Sequence, residues 1–190
     1  RPAALARALP AAAGVLLAAA FALPERAGAE PPRTEHPRAE PAQAAGKEAA
    51  ERFIAYVRKN KVEVSHGAIE PGPGPTGFRI VDLKFVGKDK AEWRAASFEA
   101  ASFAEGEKGA AALTGLVIAN LDVASPDKTA IKVARIAVES LAWTAPPGEP
   151  RLALRGLAVR DIVGNAPTGE VVRVASIDLT EARFEGMGGA

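Results

Sequence analysis

The stretch GLVIANLDV, Gly115 to Val123, alternates apolar and polar residues and then loses step: Leu116 and Ile118 fall on one parity, Leu121 and Val123 on the other. Successive side chains of a strand point to opposite faces, so a chain that changes parity midway cannot lie in a plain flat strand with one apolar side. GFRIVDLKF (Gly77 to Phe85) and GLAVRDIVG (Gly156 to Gly164) make the same change. The three glycines stand 38 and then 41 residues apart. A second set of segments keeps those offsets: Trp93, Phe98 and Phe103 correspond to Ile131, Ile136 and Leu141, then to Val172, Ile177 and Ala182. Offsets shared by both kinds of segment define a repeat of paired strands. Gly87-Lys88-Asp89-Lys90, Ser125-Pro126-Asp127-Lys128 and Asn165-Ala166-Pro167-Thr168-Gly169 join the strands within each unit with turn chemistry.

The parity change predicts a bulge in each glycine-opened strand, an extra residue against one partner residue that returns the later apolar positions to the first face. The bulge falls at Asp82, Asn120 and Asp161, whose short polar side chains tolerate unusual backbone angles. Ile131, Val133, Ile136, Val138, Leu141 and Trp143 step alternately by two and three, which predicts further bends in the second strands. The expected fold is mainly β: an N-terminal amphipathic helix followed by a curled antiparallel sheet of repeated hairpins, about seven long strands in all, in units 77–110, 111–150 and 151–186.

Ahead of the sheet, Ala45, Ala49, Ala50, Phe53, Ile54 and Val57 recur at helical spacing with Lys47, Glu48, Glu51 and Arg52 on the other half of the wheel, which predicts a helix over 45–58. Residues 30–44, with Pro31, Pro32, Pro37 and Pro41 among charges, read as a disordered tether, and 187–190 as a flexible tail. Residues 1–29 have the form of a secretory signal peptide: Arg1 and Arg7, an apolar run from Ala11 to Leu23, then Ala27-Gly28-Ala29 as a small-x-small cleavage pattern. That run of 13 residues is short of the ~20 a membrane-spanning helix needs. The pattern places the mature domain, 45–186, in the periplasm or outside the cell.

Loss of 1–29 would remove three of the 24 basic and one of the 23 acidic residues, leaving 21 against 22. So balanced a charge gives no footprint for nucleic acid. There is no cysteine, hence no disulfide framework and no thiol chemistry. GPGPTG (Gly72 to Gly77) has the spacing of a dinucleotide fingerprint, but Pro73 and Pro75 lack the amide donors a pyrophosphate needs and the segment opens a strand. Ser125-Pro126-Asp127-Lys128 has S-x-x-K spacing in a turn, where the serine lacks a helix start and companion motifs. His36 and His66 have no third ligand at zinc spacing. The residues therefore assemble no catalytic set, no metal site and no cofactor site.

A signal segment, a helix and repeated G-φ-x-φ-x-[DN]-φ strands over Gly77 to Phe184 resemble the AsmA/TamB group of bacterial envelope proteins. The resemblance implies a curled β-sheet with an apolar inner groove and a role in the envelope connected with lipid. A helix of about 14 residues, ~21 Å long and ~10 Å across, is too small to cover a seven-stranded sheet ~34 Å wide. The expectation is a non-enzymatic protein that shelters a hydrophobic ligand such as a lipid along a trough of Leu116, Ile118, Leu121, Ile136, Val138, Leu157 and Val159. The alternative is an envelope scaffold or adhesion module that assembles through strand edges, by self-association or with an envelope protein. A fragment of a longer β-repeat protein would serve either reading.

Overall fold

A computed structural model describes residues 39–60, 62–87, 89–144 and 151–185. The signal-like segment 1–29, residues 30–38 of the proposed tether and the tail 187–190 lie outside the described residues.

The described residues begin with helix α1 (Ala39–Lys59), which starts six residues earlier than the periodicity predicts. The start takes in Pro41, which costs no hydrogen bond because the first-turn amides have no intrahelical acceptor. Residues 39–44 are thus helix rather than tether. Asn60 closes the other end, where its backbone N–H and its Nδ2 both donate to the Tyr56 carbonyl, the latter at 3.0 Å. Gly46, buried in the first half of α1, has a physical reason: a Cβ there would lie 2.3 Å from the carbonyl oxygen of Gly77.

The strands are β1 (Glu63–Ser65), β2 (Ile69–Pro71), β3 (Phe78–Val86), β4 (Glu92–Ala100), β5 (Ser102–Glu105), β6 (Ala111–Ala124), β7 (Ala130–Thr144), β8 (Arg151–Asn165) and β9 (Val171–Glu185). They form one open antiparallel sheet in the order β1-β3-β4-β6-β7-β8-β9, with β2 beside β3 and β5 beside β6. The pairs β1/β2 and β4/β5 are each one interrupted strand, which reconciles nine segments with the seven long strands expected. The turns after β3, β6 and β8 are alike: Gly87, Ser125 and Ala166 each accept from a residue with positive φ, namely Lys90, Lys128 and Gly169. This is the hairpin loop that ends in one left-handed residue.

The parity change is real, but it is not a one-sided bulge. Asp82, Asn120 and Asp161 have φ of 52°, 50° and 52°. Val81 nevertheless faces Ser97, and Leu83 faces Ala95, so Asp82 has Ala96 opposite it and no residue is gained. The same holds for Asn120 against Ala96 and Ala134, and for Asp161 against Ala134 and Ala175. β3, β4, β6, β7, β8 and β9 all take the three-residue step at the same height. A second row of such steps runs through Ala101, Gly115, Glu139, Gly156 and Thr180, with φ of 57° at Gly115 and 65° at Gly156. These two glycines therefore sit inside β6 and β8 instead of opening them; only Gly77 precedes its strand. Steps that coincide keep the ladder in register while bending the whole sheet.

Between the steps the inner side chains line up across the strands. One row is Ile80, Phe98, Ile118, Ile136, Val159 and Ile177, and the next is Leu83, Ala95, Leu121, Val133, Ile162 and Val174. Helix α1 lies on the inner face with Ala49, Ala50, Phe53, Ile54, Tyr56 and Val57 buried. Phe53 stacks on Phe98 with ring centroids 4.8 Å apart and meets Phe103 edge-on at 5.5 Å. Tyr56 reaches β7, where Trp143 Nε1 donates to its hydroxyl, and that hydroxyl donates to the Gly109 carbonyl at 2.8 Å.

Candidate functional site

The seven trough residues lie in adjacent rows of β6, β7 and β8. Ile118, Ile136 and Val159 share a row, Leu116 and Val138 face each other one row over, with Leu157 following them on β8, and Leu121 lies in the row beyond the Asn120 step. Their exposure is less even. Leu116, Ile118, Leu121, Ile136 and Val138 are all buried, and only Leu157 and Val159 are half-buried. Beside the trough the aromatic side chains of α1 pack on the sheet, Phe53 on Phe98 and Tyr56 against Trp143.

Cover fades toward the C-terminal edge. Along the central row, exposure is 0% at Ile80, 2% at Ile118 and 8% at Ile136, and Val159 and Ile177 are part-exposed. The large hydrophobic side chains that stand out in solvent among the described residues, Val171, Leu179 and Phe184, all belong to β9, with Leu179 42% and Phe184 40% exposed. Leu179 and Phe184 sit on the inner face, opposite Leu157 and Leu152 of β8. The open apolar surface is therefore the β8–β9 end of the trough and the edge beside it.

The two sheet edges differ in kind. The β1/β2 edge consists of two three-residue pieces interrupted at 66–68, carries Glu63, Glu70 and Pro71, and lies against α1. Short, charged and proline-bearing edges resist addition of another strand. β9 is 15 residues long, ~50 Å of strand, and contains neither proline nor glycine. Among the described residues nothing pairs with its outer side, which leaves a long row of amide donors and carbonyl acceptors. Two of its outward carboxylates are locally matched: Asp178 accepts from Arg160 at 2.6 Å and Glu181 pairs with Arg183 at 2.7 Å.

The remaining motifs have structural places. GPGPTG is the tight connection from β2 to β3, with the Gly72 amide donating to the Gly77 carbonyl at 3.0 Å and Gly74 at φ 81°. Ser125 to Lys128 is the β6–β7 turn, where Asp127 accepts from the Thr129 amide at 2.9 Å. His66 is exposed, and no group of three or more His, Cys, Asp or Glu that could hold a metal occurs among the described residues. A shallow concavity of about 410 Å³ is lined by Ser65, Asp82, Leu83, Lys84, Arg94, Ala95 and Ala96. Beside it Arg94 and Lys84 bond Glu92 and hold its carboxyl below the ordinary carboxylate range. No described helix is long and apolar enough to cross a membrane.

Sequence reasoning missed Leu179 and Phe184. Their strand was legible as the second strand of the third unit; that its outer side has no partner among the described residues was not. Comparison of the chain with protein-family models, curated proteins and solved structures returns no match.

Proposed function

We propose that this chain is a non-enzymatic assembly module of the bacterial cell envelope, exported by residues 1–29, that works by accepting a strand at β9. The observation that carries the reading is the asymmetry of its edges: one is broken, charged and held against the helix, whereas the other is a continuous 15-residue strand beside the exposed Leu179 and Phe184. Strand addition supplies affinity through backbone hydrogen bonds and selectivity through alternate side chains. The resemblance to AsmA/TamB envelope proteins supports the setting.

Leu157, Val159, Val174 and Ile177, part-exposed on the inner face, favour a second reading in which an acyl chain lies along the β8–β9 end of the trough. Each buried methylene contributes ~0.8 kcal/mol before ordering costs, so one fatty chain suffices for micromolar retention. A photo-crosslinking residue placed at Phe184 in the exporting host separates the two. Assembly gives an adduct of protein mass that a probe at Val117 does not give, and lipid binding gives an adduct of lipid mass. No adduct at position 184 overturns both readings.

A further inference from the structure

The sheet alternates two kinds of strand, and the alternation specifies what can join β9. β6 and β8 each place a left-handed residue at both steps, Gly115 with Asn120 and Gly156 with Asp161, five positions apart; β3 has Asp82 at one step, and Gly77, which stands just ahead of the strand without a positive φ, keeps the same five-residue spacing. β4/β5, β7 and β9 meet those steps with residues of ordinary φ: Ala96 and Ala101, Ala134 and Glu139, Ala175 and Thr180. From β3 onward, every neighbouring pair joins one strand of each kind, so the steps at Asp82, Gly115, Asn120, Gly156 and Asp161 each set a residue of positive φ beside one of ordinary φ. β9 is of the second kind, and so is β1/β2, which has no positive φ and receives Asp82 of β3 at its interruption.

We infer, resting on the strand-addition reading, that the occupant of the β9 edge is an extended segment of another polypeptide carrying glycine and, five residues later, asparagine or aspartate, with apolar residues at the first, third and sixth positions after the glycine. That segment sets a left-handed residue against Thr180 and another against Ala175, and continues the inner rows past Ile177 and Leu179. A second copy of this chain does not fit. Both of its edges are of the β9 kind, and a two-fold β9 pairing that keeps the inner residues together centres on Asp178, setting Asp178 against Asp178 and Arg173 against Arg183. Like charges directly opposite on a strand pair oppose pairing. The step pattern thus admits a partner strand and discourages edge-to-edge self-association.

The probe is a fluorescent peptide with the sequence of residues 151–165, which carries Gly156 and Asp161, added to the full chain. It is expected to bind saturably by anisotropy. A peptide with Gly156→Val and Asp161→Val, whose β-branched residues resist positive φ, is expected to bind at least about tenfold more weakly. Because the chain has no cysteine, the register can be trapped. Ser176→Cys in the chain should form a disulfide with a peptide bearing Arg160→Cys, on the same face, and not with one bearing Val159→Cys. Equal binding of the two peptides, absence of binding, or a dimer of the free chain that Leu179→Lys disperses would each overturn the inference. Circular dichroism of the Ser176→Cys and Leu179→Lys chains confirms that they are folded. A protein adduct at position 184 in the host alongside equal peptide binding would leave the assembly reading standing and remove only this requirement on the partner.

Discussion

Asn120 holds a left-handed conformation, φ 50°, in the middle of a 14-residue strand, where a β-branched residue is strained. Asn120→Val should lower stability by about 1–3 kcal/mol, while Asn120→Gly, which keeps the conformation accessible, should change it by less than about 1 kcal/mol, both read by urea unfolding. Lys128, at φ 68° in the β6–β7 turn, stands where the third hairpin already has Gly169. Lys128→Gly should therefore raise the urea midpoint, by up to about 1 kcal/mol in stability. Tyr56→Phe strands the buried Trp143 Nε1–H and the Gly109 carbonyl, at a cost of about 1–3 kcal/mol. That Asp82, Asn120 and Asp161 mark special backbone was legible, because parity and residue type pointed to one position. That their partners Ala96, Ala134 and Ala175 share the step was not, since alanine reports neither parity nor conformation.

Along β6 the register assigns Leu121 to the core side and Val117 to the outer side, where it faces Glu99 and Ala137. Leu121→Asp would bury an unpaired carboxylate and should cost several kcal/mol, about the stability of a marginal domain, whereas Val117→Asp should cost less than about 1 kcal/mol. Thermal melts of the two variants test this, and equal shifts would contradict the register. Strand and helix kinds were readable from periodicity; their limits were not. β6 and β8 run four and five residues ahead of Gly115 and Gly156 because a second row of steps, invisible from one strand alone, gives those glycines a place inside the sheet. Helix α1 extends back to Ala39 because weak amphipathicity at its start carries no signal, although a helix can continue there at little cost. The trough residues were legible as a group, but their cover was not: which face of α1 meets Phe98 and Phe103 is a tertiary fact.

For the molecule as a whole, one ionisable group sits at the junction of helix and sheet. Burial, partly offset by its hydrogen bonds with Trp143 and Asn60, raises the Tyr56 hydroxyl above its ordinary 10.0. The folded chain then holds that proton more tightly than the unfolded chain does, so this contribution is level below pH ~10 and is lost as pH rises above it. Tyr56 is the protein's single tyrosine, so absorbance at alkaline pH follows it alone against the melting temperature. Ionisation of Tyr56 in step with that of free tyrosine, with no alkaline loss of stability, would contradict the burial.

The coincident steps also say how such a protein can lengthen. A strand inserted alone would set two strands of one kind side by side, whereas a hairpin carries its own Gly-and-Asx strand together with the strand that answers it. The hairpin is thus the smallest heritable increment, as one full period is for a woven pattern. Duplicating residues 111–150 in tandem should give a chain that still unfolds in a single cooperative transition, followed by circular dichroism, while duplicating β6 alone, 111–124, should not. A lineage that grew this way would gain length by whole repeats, and each addition would present, as the described sheet does, an outer strand of the β9 kind.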